Sequence, residues 1–344
     1  MKTAVVILNW NGLPFLKKYL PGLYANTPAE DAAIIIADNG SSDGSVAWLK
    51  EHFPSLRLIL FDKNYGFTGG YNRAMEQIEA EYFILLNSDI RVPDKTGSFN
   101  WLHPLTEFMD AHPQAGICQP KILSECAPSY FEYAGACGGF LDKYGFPFCR
   151  GRILSNIEED RGQYDAPVRC FWASGACMMI RSGLWRELGG LDERFFAHME
   201  EIDLCWRAQN LGYEVWALPQ SRVYHVGGGT LPNNSPRKLY LNYRNNLLML
   251  YKNLPLHGNR NRFIFTRMCI DGLTSVAYLL QGKFSYFRSV WKAHTDFKKM
   301  RHTTPVTAGL PKNLSQLPGF YSRSIIVKFL NGKKKFSQLN FQLP

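Results

Sequence analysis

The 344-residue chain has no CxxC pair among its eight cysteines, and no uninterrupted apolar run of the ~20 residues that a membrane-spanning helix needs. A chain of this length needs no disulfide framework, so reduced and mostly buried thiols in a cytoplasmic protein are expected. The start, Met1 to Asn11, holds one lysine and a short apolar run without a cleavage site, so no signal peptide is expected. A G-x-G-x-x-G fingerprint is missing after the first apolar segment, where only Gly12 occurs, and this counts against NAD or FAD. Acidic residues are scarce in one part of the chain. From Pro236 onward 19 Lys/Arg stand against Asp271 and Asp296 alone, so that part carries about +17, while the first 235 residues carry about −7. The asymmetry suggests an anionic surface as partner of the back part.

What the chain does have is an alternation of buried strands and helices. Hydrophobic residues make up 46%, which suits one large α/β domain plus an extension. Ala4 to Leu8, Ala33 to Ala37 and Tyr82 to Leu86 are short continuous apolar runs, as in strands buried on both faces, and Leu56 to Phe61 reads as a further strand. Helices follow after Pro14, after the polar turn Ser41 to Ser45, and after the glycine-rich Asn64 to Arg73, and Pro21 is expected to kink or end the first of them. This order implies right-handed crossovers and a mostly parallel sheet with helices on both faces. Ligands in such sheets bind at the carboxyl ends of the strands. Asn9, Asp38, Asn87 and Asp89 stand at such ends. Asp89 can hold a hard cation, or be a turn carboxylate before Pro93. Gly69-Gly70 before a helix can face a phosphate, or be a simple connection.

Four segments together, Val6 to Gly12, Asp38 to Ser45, Asn64 to Asn72 and Leu85 to Asp89, resemble family 2 glycosyltransferases, and most of all the rhamnosyltransferase-like branch. The resemblance covers roughly Lys2 to Tyr251 with the motifs in the family's order. It implies a GT-A fold over residues 1–250, with a nucleotide-sugar half near 1–115 and an acceptor half near 116–250, followed by a basic, amphipathic helical extension over 251–344. It also implies a nucleotide-sugar donor, a divalent metal (Mn²⁺ or Mg²⁺) and inversion at the anomeric carbon. The family's metal motif is often DxD, and Asn87 replaces its first Asp, which leaves Asp89 as the ligand. Asn9, Asp38, Asn64, Gly69, Asn72 and Asn87 are assigned to the donor on the same basis.

Further along, Phe171 to Ile180 reads as a strand with Gly175 at its centre, and between Leu123 and Ala166 no period is legible. Trp172 can stack on a sugar ring or pack in the core, and with Asp192 it is assigned to the acceptor. Glu200, Glu201 and Asp203 crowd one helix start. They favour the helix dipole there, and they also match the family's Glu-Asp-x-Asp-Leu-Cys-Trp-Arg motif, in which the first Asp is the base. Glu201 occupies that position, one methylene longer. His225, before the glycines 227–229, stands where the family has a metal-binding His. Arg244 faces phosphate or is solvated.

In the back part, Phe263 to Leu280 is apolar but interrupted by Arg267 and Asp271, which suits an interfacial amphipathic helix better than a span. The alternative is a helical cap with a solvated basic face. The expected protein is an inverting glycosyltransferase acting on a glycan or lipid-linked acceptor, cytoplasmic and peripheral at the inner face of the cell membrane. Two rivals remain at this point. A nucleotidyltransferase shares the strand-end carboxylates but needs no base at Glu201. A nucleic-acid-binding protein would suit the charge, but no binding motif appears, so no nucleic-acid partner is expected.

Overall fold

The computed structural model describes residues 1–97, 100–133, 135–227, 235–255, 259–303 and 312–341. The expected strands form as β1 (Thr3–Asn9), β2 (Ala33–Asp38), β3 (Arg57–Leu60) and β4 (Tyr82–Asn87). A two-residue β5 (Ile90–Arg91) and the long β6 (Ala115–Ser124) follow. Next come β7 (Gly139–Asp142), β8 (Pro147–Cys149), β9 (Arg152–Ile153), β10 (Asn156–Ile157) and β11 (Val168–Arg169). The last are β12 (Cys177–Arg181), β13 (Glu214–His225) and β14 (Phe320–Tyr321).

The central sheet has the order β11-β13-β6-β12-β4-β1-β2-β3, with β5 on β13. β4, β1, β2 and β3 are parallel, while β12 runs antiparallel between β4 and β6. Helices α1 (Leu13–Ala25), α2 (Ser45–His52), α3 (Gly66–Met75), α4 (His103–Ala111) and the short α5 (Ser182–Glu187) follow their strands. Two apolar clusters result, one on each face, holding Val6, Ile35, Phe83 and Leu85 on one side and Val5, Ile7, Ile36 and Leu86 on the other. That split follows from period-2 alternation in strands that are apolar at every position. α1 does not end at Pro21 but runs on to Ala25.

The stretch without a legible period contains most of a second sheet, β10-β9-β8-β7-β14. Its last strand arrives from the far end of the chain and pairs in parallel with β7. Phe336 then packs against Phe140 with the rings tilted and their centroids 4.9 Å apart. Residues 312–341 thus return to the body of the protein, so the back part is more than a helical extension. The expected strand over 171–180 is only Cys177–Arg181. Phe171 and Trp172 bond instead to Gly139 on the second sheet, and the chain turns at Ser174–Cys177 to reach the central one.

The remaining helices are α6 (Glu200–Asn210), α7 (Pro236–Asn253), α8 (Arg260–Leu280), α9 (Phe284–Met300) and α10 (Ile325–Leu330). α8 has 21 residues, and an 18-residue stretch of it has a mean hydropathy of 1.4, so by length and composition it suffices to cross a membrane. The two charges inside its apolar stretch, Arg267 and Asp271, are buried. Arg267 Nε donates to Asp271 at 2.9 Å, and its guanidinium also reaches Asn246 and the Gly145 carbonyl.

Candidate active site

The crevice opens where β1, β2 and β4 end. Asn9 donates from Nδ2 to Asp38 Oδ2 at 2.9 Å, and the Ser41 N–H donates to Asp38 Oδ1 at 2.8 Å. Both residues are buried. Asn9 Oδ1 is a buried acceptor without a partner among the described residues. Asn64 Oδ1 accepts from the Gly66 N–H and from Asn39 Nδ2, and Asn39 Oδ1 accepts from the Tyr65 N–H. Asn39, which the strand-end argument passed over, therefore shapes the turn before α3. Gly66 has φ +74°, and a Cβ there would meet Phe196 at 2.6 Å. A Cβ on Gly69 would meet Arg73 and Tyr65. Asn72 is occupied elsewhere. Its Nδ2 donates to the Leu191 carbonyl at 2.8 Å and its Oδ1 accepts from the Leu191 N–H at 2.9 Å, so it ties the 188–196 loop to α3.

Beyond β4, Asp89 Oδ1 lies 3.1 Å from His225 Nε2, and the Asn87 amide nitrogen lies 3.4 Å from the same atom. Glu132 Oε1 stands 3.5 Å from His225 Nδ1. Burial by itself would lower the His225 pKa, but the two carboxylates outweigh it and push it up to about 10. Among the described residues no group of three or more His, Cys, Asp or Glu side chains forms a metal cage. A carboxylate and an imidazole converging at a strand end do fit Mn²⁺ or Mg²⁺ if substrate oxygens complete the shell. Gly228, Gly229 and Thr230, expected to close this side, lie outside the described residues. Glu132 could not be found from the sequence, because it sits in the stretch without a period.

Across the crevice, α6 starts from a strained turn. Phe196, His198 and Met199 have φ of 64°, 71° and 73°, unusual for side chains with a Cβ. α7 holds this turn in place. Asn245 Nδ2 donates to the carbonyls of Phe195, Ala197 and His198 at 2.7–2.9 Å, and Arg244 donates to those of Arg194 and Phe195. Arg244 therefore carries a structural load rather than facing solvent.

The three carboxylates at the helix start fare differently. Glu201 is half-buried with Oε2 unpartnered among the described residues, and burial pushes its pKa to about 7. Its Cβ lies 3.7 Å from where a Cβ on Gly175 would be, and the next residue, Ala176, accepts the Asn87 N–H at 2.9 Å. The 174–177 turn thus brings Glu201 to the side of the crevice that holds Asn87 and Asp89. Glu200 is buried, and burial together with the charge of Glu201 raises its pKa well above the usual carboxylate range. Asp203 is wholly buried and accepts from Arg207, Lys252 and Asn253 at 2.7–2.8 Å. Burial would raise its pKa, yet the cations Lys252 and Arg207 hold it below the ordinary value.

Neither residue assigned to the acceptor is presented to the crevice. Trp172 is 4% exposed, and its Nε1 donates to the Phe140 carbonyl at 3.1 Å. Its indole fills the space above Gly139, which is the core-packing alternative. Asp192 is paired with Arg194 and with Lys252, the latter at 2.8 Å.

Residues 4–185 match the model of "Glycosyl transferase family 2". The N-acetylglucosaminyl-diphospho-decaprenol L-rhamnosyltransferase of Mycobacterium tuberculosis is 26% identical over 237 residues, 64% of this chain and 75% of its own length. Two solved structures are similar in fold. GalNAc-T7 with UDP, GalNAc and Mn²⁺ has a TM-score of 0.54 at 16% identity, covering 73% of this chain and 48% of its own. S. aureus TarS 1–349 in complex with UDP-GlcNAc has a TM-score of 0.53 at 15% identity, covering 86% and 80%. The central sheet and the crevice at its strand ends are those of a GT-A glycosyltransferase, with further helices on the C-terminal side, and the chain, similar to rhamnosyltransferases, belongs to glycosyl transferase family 2.

Proposed function

We propose that this chain is an inverting, metal-dependent transferase that moves a hexosyl or deoxyhexosyl unit from a nucleoside-diphosphate sugar to a hydroxyl of a lipid-linked acceptor. The observation that carries the reading is Glu201, a half-buried carboxyl with a pKa near 7, beside the turn that also positions Asn87. Glu201 accepts the acceptor's hydroxyl proton while that oxygen bonds to the anomeric carbon from the face opposite the nucleotide. The bond from that carbon to the diphosphate breaks, and the nucleoside diphosphate leaves with the electron pair. Asp89 and His225 would hold the divalent ion, which supplies charge neutralisation at the leaving diphosphate. Asn9, Asp38 and Asn64 frame the pocket for the nucleoside. Asp203 and Asn72 support the site without touching substrate. The relative from M. tuberculosis, named for a diphospho-decaprenol acceptor, and the Mn²⁺ and UDP of GalNAc-T7 support the acceptor and donor classes.

The same reading puts the back part against an anionic leaflet. α8 and α9 expose Phe265, Leu273, Val276, Leu280, Phe284 and Trp291 beside Arg262, Lys283, Arg288, Lys292, Lys298 and Lys299. Such cations contribute about 1 kcal/mol each near an anionic surface.

The test is a panel of nucleotide sugars scored for nucleoside diphosphate release with and without Mn²⁺. One donor should be hydrolysed only with the metal, and Asp89→Ala and His225→Ala should lose metal-dependent donor binding while remaining folded. Pyrophosphate as the product would point to nucleotidyl transfer instead.

A further inference from the structure

Between α8 and α9 lies an open groove of about 460 Å³. Its walls are apolar along most of their length, from Ile264, Phe265 and Met268 on α8 to Val290 and Trp291 on α9. The two helices are antiparallel neighbours, so the start of α8 stands beside the end of α9. At that end the groove is flanked by Lys298 and Arg301, and no carboxylate is among its lining residues. We infer that this groove seats the apolar chain of a prenyl-phosphate lipid, with the phosphate at Lys298 and Arg301.

Three observations carry this. Phe265 is 68% and Trp291 55% exposed, two large rings left in water on the rim of one groove. Leaving them so forgoes about 25 cal/mol per Å² of apolar surface that a hydrocarbon chain would cover. Gly272, in the interior of α8, also lines the groove, and a Cβ there would meet nothing within 4 Å. A mid-helix glycine costs about 1 kcal/mol relative to alanine, and here no packing of the protein demands it. What its missing side chain does is leave the groove open. His294, 8% exposed, lines the groove as well, with its Nε2 unpartnered among the described residues and 3.6 Å from Asp271. A buried nitrogen that lacks a hydrogen bond and has only a carboxylate at 3.6 Å can still bond a polar group of a ligand.

The groove is also linked to the crevice. α9 reaches α7 through the Tyr240 hydroxyl, which donates to Asp296 at 2.7 Å. Tyr240 is two residues beyond Lys238, whose pKa Glu201 helps to set. α9 is thereby fastened to the helix that also holds the turn ahead of Glu201. The choice of a prenyl-phosphate lipid rests on the lipid-linked acceptor proposed above.

The test is calorimetric titration of the full chain with farnesyl phosphate, farnesol and inorganic phosphate, all below micelle-forming concentrations. Farnesyl phosphate should bind, farnesol at least tenfold more weakly, and inorganic phosphate not measurably. Gly272→Leu puts a side chain into the groove from a position where a Cβ meets nothing within 4 Å, and it should lose farnesyl phosphate binding at least tenfold while keeping the parent's melting temperature. Lys298→Glu should weaken the phosphate but leave farnesol unchanged. Equal binding by the parent chain and Gly272→Leu, or equal binding of farnesol and farnesyl phosphate, would overturn the inference. Donor hydrolysis by the parent chain is measured alongside. Hydrolysis without farnesyl phosphate binding sinks the groove alone, and its absence with every donor and metal sinks the catalytic reading.

Discussion

Lys252 on α7 and Asp203 on α6 form a buried ion pair with Nζ 2.8 Å from Oδ2. The same Nζ is 2.8 Å from Asp192, and Arg207 donates to the same Asp203 oxygen. One carboxylate thus locks α6, α7 and the loop before Glu193 into a single arrangement. It is the frame on which the strained turn ahead of Glu200 is held.

Asp203→Asn removes that charge and leaves Arg207 without its carboxylate, while Lys252 keeps Asp192. We expect a loss of about 3 kcal/mol in urea unfolding, the low end for breaking a buried pair, because one partner remains. The pKa of Asp203 is depressed in the folded state, so its contribution is complete above the ordinary carboxylate value and fades as pH falls through the lower folded one. Parent and variant should therefore converge in stability under acid conditions. A constant difference from pH 7 down to pH 2 would contradict this role.

Much of this was legible in the sequence. The strands β1, β2 and β4 were plain because each is an unbroken apolar run, and the polar residues at their ends were found by position alone. The second sheet was not legible, since its strands β9 and β10 have two residues each and β14 comes from more than 150 residues away. No local period can announce a strand that exists only through a distant partner. Trp172 and Asp192 failed for a related reason. Both are polar-tipped side chains near motifs, and only the fold shows that Phe140 and Lys252 already occupy them. Glu132 and Asn245 act through long-range contacts, so no spacing marks them.

The outer surface of α8 and α9 leads to a binding prediction of its own. The full chain should sediment with vesicles containing anionic lipid, less so as salt rises, because exposed cations at a surface are screened within about 10 Å at 0.1 M salt. Replacing Arg262, Lys283 and Arg288 with glutamate should move the protein to the supernatant. Those side chains are solvent-exposed, so the fold should persist. Equal recovery of parent and variant with the vesicles would return these charges to a solvated face of a packed cap.

Glu201 offers the most direct test of the chemistry. As general base it must be ionised, and burial raises its pKa to about 7, so kcat/KM should climb with pH and level off above that value. Glu201→Gln should bind donor normally, lower turnover by ~10²–10⁴, and lose this acidic limb. Stability supplies an independent check with the opposite sign. A carboxyl whose folded pKa lies above its ordinary value binds more protons folded than unfolded between the two, so the parent loses stability as pH rises through that window. Glu201→Gln should soften that loss, while Glu200, buried behind it, keeps its own share. Were Glu201→Gln to transfer sugar at the parent's rate while Glu200→Gln did not, the base would be the residue next door, and the half-buried position of Glu201 would serve the acceptor in some other way.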